Sequence, residues 1–454
     1  MKWPCSIQAC NSPALQYLHG MCEICNKHFC SEHVLSQLHA CPTAEDIDSA
    51  IESEDPARLK ALSSIRRSGG EAMIASLLAR VNGDALKARV EALRGVGCSV
   101  NLPTPDKAYY NQTICGGSNY HATLVFEDGL TWLARFRLPN HGEPPVEERN
   151  FDRRSEYAIY NYLAQAHVPA PKVFGIADDN DPENPVGAGY ILLEKIPGSP
   201  MEWQGASEPQ KTNFRNQLAD IYTKLAQHPL SKVGRLQPSP SDTAAYEVGP
   251  GFFAYNSDGK PTNLGPFNSS NEYYVALINH RLALIDSREI AATAPTDQYL
   301  VFKTLLDNLP EDDAGPFYVR HIDSRDANFL VDDEFNITGV IDWELATVGC
   351  KASAFQSPIF MYDLSELYDE GLSTPSADEK RFAAALREKG GDELAGLAAQ
   401  KRFFRLDQCI ETDPFNREDF LLLFAGWWKD VKGVETFDWD AWRKDALEKY
   451  GDGV

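Results

Sequence analysis

The chain contains few basic residues for its length and no long apolar run. Its 454 residues include 43 lysines and arginines against 66 aspartates and glutamates, which gives a formal net charge of −23. A surface of this sign repels a phosphate backbone, so we expect no nucleic-acid partner. No apolar stretch approaches the roughly 18 residues that a membrane-spanning helix needs, so we expect no membrane association either.

Sequence patterns of several common enzyme classes are also missing. The chain has no G-x-S-x-G nucleophile motif, no H-E-x-x-H zinc-protease motif and no glycine fingerprint that opens a dinucleotide-binding unit. Residues 1–5 lead directly into a cysteine-rich segment, without the charged start and apolar stretch of a secretory signal. We therefore expect a reducing location, either the cytoplasm or the nucleus.

Cysteine is scarce except near the N-terminus, where six of the ten cysteines fall within the first 41 residues, and two of the four histidines in this segment, His33 and His39, are in step with them. Short gaps between such ligands let two of them reach one ion from a single turn, and eight ligands suffice for two tetrahedral zinc sites. A disulfide-bonded secreted module is the alternative, but the interspersed histidines and the missing signal favour zinc. The predicted zinc ligands are Cys5, Cys10, Cys22, Cys25, Cys30, His33, His39 and Cys41.

This spacing, C-x4-C-x11-C-x2-C-x4-C-x2-H-x5-H-x-C, resembles that of the AN1-type zinc finger, and Phe29 before Cys30 also fits that family. The resemblance covers about residues 5–41 and implies an interleaved arrangement of two ions. It also implies a protein partner, because such fingers often bind ubiquitin-, proteasome- or AAA-ATPase-related machinery. The implied ligand sets are Cys5, Cys10, Cys30 and His33 for one ion, and Cys22, Cys25, His39 and Cys41 for the other.

The chain is longer than a single hydrophobic core usually serves, so two or three domains are expected. Residues 43–97 are first acidic and then carry alanine, leucine and charged residues at helical spacing. Gly69 and Gly70 are expected to interrupt these helices, because adjacent glycines weaken a helix interior. The predicted divisions are a zinc module over residues 1–45, a helical connector over 46–100 and a large domain over 101–454.

Two adjacent glycines precede a predicted hairpin in the large domain. Gly116 and Gly117 come just before two apolar runs, at 121–126 and 131–136, which are joined by a Glu-Asp-Gly turn. Backbone amides at adjacent glycines can approach a phosphate closely, and Arg135 on the second strand could reach the same phosphates. Taken alone, such a glycine pair is more often an ordinary turn.

A more specific motif lies at 318–344, where the order is H-x-D-x4-N, an apolar strand, a turn, a second strand and a final aspartate. Phosphoryl transfer needs a carboxylate that orients or deprotonates the acceptor hydroxyl, and oxygen ligands that hold magnesium against the nucleotide phosphates. Asp323, Asn328 and Asp342 supply these groups. The strands around them are expected to place all three side chains at one edge of a cleft.

Together these motifs resemble those of the aminoglycoside phosphotransferase-like branch of the protein-kinase-like fold, over about residues 106–440. The resemblance implies an α+β, bilobal fold that binds ATP and magnesium. It implies a small antiparallel β lobe over about residues 101–196 and a larger, mainly helical lobe over 197–454. By the same resemblance, Asp323 is the expected catalytic base, and Asn328 and Asp342 are the expected magnesium ligands.

The resemblance also implies how the nucleotide is held. Arg135 takes the place of a phosphate-anchoring lysine, and Glu156 is its expected partner on a helix. Glu147 and Glu148 are within reach of the same helix, so the residue that pairs with Arg135 is open at this point. The other expected nucleotide contacts are Gly116, Gly117 and Ser118 in the loop, and backbone groups near Glu194 and Ile196 at the hinge.

The leading interpretation is a zinc-binding protein whose kinase-like domain transfers the γ-phosphate of ATP to a hydroxyl group. The alternative is a weak or inactive kinase-like adaptor that its zinc finger recruits to a protein partner. Aminoglycosides, choline-like alcohols, sugars and protein hydroxyls are all open as acceptors, because the fold sets the chemistry while variable regions set the specificity.

Overall fold

The computed structural model describes residues 5–7, 10, 22, 29–30, 56–111, 113–139, 144–255, 261–287, 294–310, 315–368, 371–411 and 417–451. Four of the predicted zinc ligands, Cys25, His33, His39 and Cys41, lie outside these residues. Within the described part, no helix combines the length and the apolar character that crossing a bilayer requires.

The first lobe is built on a five-stranded antiparallel sheet with the strand order β1-β2-β3-β5-β4. Residues of β2 alternate between buried and less buried positions, as a strand with one face on a core requires. One long helix, α4, packs against β4 and β5. The strands are β1 (Cys98–Asn101), β2 (Asn119–Phe126), β3 (Thr131–Arg137), β4 (Val173–Ala177) and β5 (Tyr190–Glu194); the helices of this part are α1 (Pro56–Leu78), α2 (Gly83–Arg94), α3 (Pro105–Ala108) and α4 (Val146–Gln165).

The helices predicted as a connector share a core with this sheet. Leu77 of α1 and Leu86 of α2 belong to the same cluster of buried side chains as Phe136 of β3. The sheet therefore covers its outer face with helices that precede it in the chain, and the first lobe includes much of the segment predicted as the connector 46–100.

The expected interruption at Gly69 and Gly70 is wrong, because α1 runs through both glycines without a break. The reason is a close approach to α3. A Cβ atom added to Gly70 would lie 2.1 Å from the ring of Tyr109, so glycine is what lets this ring pack against the helix. A glycine pair costs helix stability locally, but here a contact distant in sequence holds the helix together.

The second lobe is mainly helical and carries short two- and three-stranded sheets, so the α+β, two-lobed fold expected from the sequence is confirmed. Its strands are β6 (Ser199–Pro200), β7 (Arg235–Ser239), β8 (Asp242–Gly249), β9 (Phe252–Tyr255), β10 (Pro261–Leu264), β11 (Phe317–Arg320), β12 (Phe329–Val331), β13 (Ile337–Val340) and β14 (Thr347–Cys350). Its helices are α5 (Glu208–Ala226), α6 (Ser270–Asp286), α7 (Pro295–Leu306), α8 (Lys351–Ala354), α9 (Leu364–Tyr368), α10 (Ala377–Glu388), α11 (Asp392–Ala398), α12 (Arg402–Glu411), α13 (Arg417–Lys432) and α14 (Trp439–Tyr450), with 3-10 turns at Asp326–Asn328 and Ile359–Met361.

The hairpin of β7 and β8 joins the second lobe to helix α4 of the first. Arg235 of β7 forms an ion pair with Asp152 of α4, and the hydroxyl of Tyr246 on β8 donates to the Gln165 side chain at 3.1 Å. This hairpin therefore helps to fix the helix that carries Glu156.

Candidate active site

Arg135 and Glu156 meet in the interior of the first lobe. Arg135 extends from β3 and Glu156 from α4, and their side chains form an ion pair in which both residues are buried. Glu156 is thus the glutamate that pairs with Arg135, whereas Glu147 is exposed at the start of the helix. Burial raises the pKa of Glu156, and the nearby Arg135 offsets only part of this rise.

The Arg135 guanidinium also faces the second lobe. Its Nη1 lies 3.5 Å from the carboxylate of Asp342, and its Nη2 lies 3.7 Å from that of Glu344. Burial lowers the pKa of Arg135, but the surrounding carboxylates outweigh it and the net direction is upward. A permanently charged, planar guanidinium can contact several oxygens at once, so this group is suited to bridge carboxylates and phosphates.

The loop that carries Asp323 is held in place by the two residues that frame its motif. The Asn328 side chain donates through Nδ2 to the Asp323 carbonyl at 2.9 Å and to its carboxylate at 3.1 Å. The Asp323 amide donates to Nδ1 of His321 at 3.2 Å, so the other ring nitrogen of His321 carries the hydrogen and donates to the Ile341 carbonyl at 2.9 Å. Burial lowers the pKa of His321, which keeps the ring neutral for these two bonds.

Asp342 follows the β12–β13 hairpin and lies next to Asn328. The amide of Ile341 donates to the Asn328 carbonyl at 2.9 Å, which brings the neighbouring Asp342 alongside it. Asp342 has a φ of 61°, a left-handed backbone conformation that is uncommon outside glycine and that clusters at functional sites. Burial raises the pKa of the Asp342 carboxyl, with Arg135 opposing the rise.

Three further residues tie the segment after Asp342 to the sheet. Glu344 accepts a hydrogen bond from the Asn119 side chain at 2.8 Å and forms an ion pair with Arg137. Burial raises the pKa of Glu344, but Arg137 and Arg135 outweigh it and the net direction is downward. No motif in the sequence indicates a role for Asn119, Arg137 or Glu344. The alternation of a strand could have placed Arg137 on the same face as Arg135, and the register pairs Asn119 with Arg137.

The predicted glycine loop forms a tight turn before β2. The amide of Gly116 donates to the Asn119 carbonyl at 3.0 Å, and the amide of Leu138, just after β3, donates to the Ser118 carbonyl at 2.9 Å. A Cβ added to Gly117 would meet no described atom within 4 Å, so the tip of the loop is open on that side. The loop thus lies at the end of the sheet where Arg137 and Asn119 pair.

At the predicted hinge, one backbone amide already has a hydrogen-bond partner within the protein. The Glu194 amide donates to the Lys172 carbonyl at 2.8 Å. The Ile196 side chain packs against the second lobe at Gly339 of β13, where an added Cβ would lie 2.5 Å from Ile196 Cδ1. Glycine at this position therefore permits close contact between the hinge and the β12–β13 hairpin.

The described cysteines of the N-terminal segment form a cluster. The sulfur atoms of Cys5, Cys10 and Cys30 all lie within 4.8 Å of one another, and those of Cys10 and Cys30 are 3.7 Å apart. These are three of the four residues that the AN1-type resemblance implies for one zinc ion. Cys22, which the resemblance implies for the other ion, is also buried.

Comparison with known proteins places this site in a family. Residues 127–351 match the model of the phosphotransferase enzyme family. One curated relative, the clavilactone A biosynthesis cluster protein Y of Ampulloclitocybe clavipes, is 23% identical over 305 residues, which cover 63% of this chain and 70% of that protein. A subtelomeric hrmA-associated cluster protein of Aspergillus fumigatus is 29% identical over 113 residues, and this match covers 24% of this chain but only 21% of that protein.

Solved structures of phosphotransferases overlay on most of the chain at low similarity. The aminoglycoside phosphotransferase APH(2'')-Ib, bound to ADP, has a TM-score of 0.42 and 13% identity, and covers 77% of this chain and 99% of its own. The macrolide 2'-phosphotransferase MphH of Brachybacterium faecium has a TM-score of 0.38 and 18% identity, and covers 80% of this chain and 96% of its own. These scores add nothing to the assignment, which rests on the family match. Over residues 127–351 the chain carries a domain of the phosphotransferase enzyme family, and it is an enzyme of that class.

Proposed function

We propose that the chain transfers the γ-phosphoryl group of ATP to a hydroxyl group of a small molecule. The observation that carries this proposal is the convergence of Asp323, Asn328, Asp342 and Arg135 through hydrogen bonds and an ion pair, although Arg135 and Asp342 are 207 positions apart in the chain. Phosphoryl transfer depends mainly on positioning and on charge stabilisation, and these four side chains supply both.

Each of the four has a distinct role in this proposal. The Asp323 carboxylate accepts or orients the proton of the acceptor hydroxyl, and Asn328 fixes the direction of that carboxylate. Arg135 contacts the phosphates of the nucleotide, and Glu156 holds Arg135 against β3. In the Gly116–Ser118 turn the amides of Gly117 and Ser118 cover the phosphates, since the Gly116 amide already donates to the Asn119 carbonyl, and the backbone around Glu194 and Ile196 meets the adenine.

The donor set at Asn328 and Asp342 fits magnesium. Asn328 donates through Nδ2 to Asp323, so the Oδ1 atom of the same Asn328 amide points away from that bond. The carboxylate of Asp342 lies beside Asn328. Oxygen ligands of this kind, one or two from the protein with the rest from phosphates and water, are what magnesium prefers. When bound, magnesium would neutralise the charge that develops on the transferred phosphate.

The direct test is the variant Asp323→Asn, assayed for ADP formation that depends on an acceptor. We expect kcat to fall about 10²- to 10⁴-fold, the usual contribution of a general base, while the affinity for ATP is kept. Asp333→Asn, in the exposed turn of the same hairpin, is the matched control and should retain activity. Full activity of Asp323→Asn would rule out the assigned role.

The N-terminal segment is proposed to hold two structural zinc ions. The support is the cluster of three cysteine sulfurs, since a fourth ligand completes a tetrahedral site. Metal analysis of the purified protein should give two zinc ions per chain, and Cys5→Ser should lower this number. A zinc content near zero in folded protein would contradict the proposal.

A further inference from the structure

A cavity of about 270 Å³ opens beside Asp323 and extends into the second lobe. Its mouth is formed by Ile322, Asp323 and Ser324 of the loop after β11, and its inner wall by α5 and the segment that follows α8. An acceptor bound there would have its hydroxyl next to the carboxylate that receives the proton. The volume lies just below the roughly 300–1,000 Å³ typical of drug-sized ligands, so it suits one small ring rather than several.

The charges around this cavity do not suit a cationic acceptor. Among the described residues that line it, one is an arginine, Arg320, one is an aspartate, Asp323, and none is a lysine or a glutamate. The Arg320 guanidinium is already paired with Asp407, which is not among those lining residues. An acceptor with several ammonium groups would thus find no carboxylate except the base itself, and it would face a positive side chain.

Neutral polar groups line the cavity instead. In the described part of the chain, the Gln356 amide nitrogen and the Tyr362 hydroxyl are buried and have no hydrogen-bond partner. Tyr362 is 7% exposed, so its hydroxyl has lost nearly all contact with solvent. Buried polar atoms are costly unless they are paired, and because Gln356 and Tyr362 both line the cavity, a ligand with hydroxyl groups can supply the missing partners once these side chains turn toward it. The Tyr222 hydroxyl donates to the Gln356 carbonyl at 2.6 Å, which holds the Gln356 backbone in position at the cavity.

Aromatic side chains complete the lining. Tyr222, Trp343, Tyr362 and Phe404 all border the same cavity. The C–H face of a saturated ring packs well against an aromatic face, while hydroxyls at the ring edge bond to amides and hydroxyls around it. A lining of aromatic rings and uncharged polar groups, with no carboxylate other than Asp323, is therefore suited to a sugar or a cyclitol.

We propose that the acceptor is a small, uncharged, polyhydroxylated ring, either a monosaccharide or a cyclitol, bound in this cavity. This proposal rests on the proposed phosphotransferase function and specifies its substrate class. In the reaction, a ring hydroxyl oxygen forms a bond to the γ-phosphorus of ATP, and the bond from that phosphorus to the β,γ-bridging oxygen breaks. ADP leaves with the bridging oxygen and its electron pair, and the hydroxyl proton passes to Asp323.

The test compares neutral and cationic probes with the full-length protein. D-ribose, D-glucose and myo-inositol form the neutral set, and kanamycin and choline form the cationic set. ADP release and the mass of the phosphorylated product are measured for each probe. The proposal expects transfer to at least one neutral ring and none to the cations. Better transfer to kanamycin or choline would overturn it, and so would the absence of transfer to every neutral ring.

A separate measurement distinguishes failure of the acceptor proposal from failure of the proposed function. Thermal stabilisation by ATP with magnesium reports the nucleotide site and needs no acceptor. If this stabilisation occurs but no neutral ring is phosphorylated, the acceptor proposal fails and the nucleotide site stands. If it does not occur in folded protein, the proposed function fails as well.

The variant Gln356→Glu places a carboxylate in the cavity and tests the charge argument directly. The proposal expects KM for the neutral acceptor to rise at least tenfold, with little change in KM for ATP. Gln400→Glu, at an exposed turn, introduces the same charge outside the cavity and should leave both values unchanged. If Gln356→Glu instead improves transfer to kanamycin and leaves the neutral ring unaffected, the proposal is wrong. If the variant does not fold, the probe comparison with the unaltered chain decides.

Discussion

At the scale of single residues, Arg135 joins the two halves of the candidate site. It pairs with Glu156 inside the first lobe and lies near Asp342 and Glu344 of the second. Related folds place a lysine at this position by the resemblance described above, but a single ammonium is a compact charge with three donors. The five donors of a planar guanidinium allow Arg135 to keep its pair with Glu156 and still face the position proposed for the phosphates.

The variant Arg135→Met should destabilise the protein as well as abolish transfer. Removing one partner of a buried ion pair leaves the other charge uncompensated, which costs about 3–5 kcal/mol. Urea unfolding would measure this loss. The double variant Arg135→Met with Glu156→Leu should recover much of the stability, because no buried charge is left unpaired, yet it should not recover phosphoryl transfer. If the single variant were as stable as the unaltered protein, the pair would not have the buried character that the structure gives it.

At the scale of elements, the position of helix α4 depends on one buried carboxylate. Asp179, in the loop after β4, accepts hydrogen bonds from Arg153 of α4 at 2.8 Å and from the Gly189 amide at 2.8 Å. Its own amide donates to the Asn150 side chain of the same helix at 2.8 Å. Asp179 therefore ties α4, which carries Glu156, to the loop between β4 and β5.

This carboxylate predicts a pH dependence of stability. Burial raises the pKa of Asp179, but Arg153 and the Gly189 amide outweigh burial and bring the pKa down to about 2. The unfolded value is about 3.9, so the charged form is favoured by folding. The contribution to the free energy of unfolding is fully present above pH 5 and is lost as the pH falls through the folded pKa.

The variant Asp179→Asn should accordingly lower the free energy of unfolding by about 2–3 kcal/mol at pH 7. A difference of one pKa unit between the folded and unfolded states corresponds to about 1.4 kcal/mol. Urea unfolding of both proteins at several pH values between 7 and 3 would show the difference shrinking at the acidic end. A difference that stayed constant or grew on acidification would contradict the assignment of this stability to the ionised carboxylate.

Local patterns account for the elements that were predicted from the sequence. The β2–β3 hairpin follows from two apolar runs around a Glu-Asp-Gly turn, in which Gly129 takes the positive φ of 87° that the turn requires. The β12–β13 hairpin follows likewise from the spacing between Asn328 and Asp342. By contrast, the unbroken helix at Gly70 depends on Tyr109, and the pairing of Arg137 with Glu344 joins residues that are distant in sequence. Such contacts exist only after folding, so no local pattern indicates them.

At the scale of the whole molecule, the cysteine-rich segment and the phosphotransferase domain have separate cores. Cys5, Cys22 and Cys30 form a small cluster with Phe29, and the larger clusters among the described residues contain none of them. A segment this small has little apolar area to bury, so we expect its stability to depend on the zinc ions proposed above. We expect no such dependence for the proposed nucleotide site.

Removal of zinc should therefore affect one part of the molecule and spare the other. After treatment with a strong zinc chelator, we expect the N-terminal segment to become sensitive to proteolysis while stabilisation by ATP with magnesium persists. Limited proteolysis measures the first effect. Thermal unfolding measures the second, with magnesium restored after the chelator is removed. Loss of the nucleotide effect in parallel with zinc would show that the two parts depend on each other.

The central claim is that Asp342 and Asn328 hold magnesium and ATP against Arg135, and thermal unfolding with and without ATP and magnesium tests it most directly. A ligand that binds only the native state adds about 2.7 kcal/mol at a hundred times its Kd. We predict a rise in Tm that needs both ATP and magnesium, that is lost in Asp342→Asn and that is kept in Asp333→Asn. The absence of a rise in folded protein, or an equal rise in Asp342→Asn, would contradict the account.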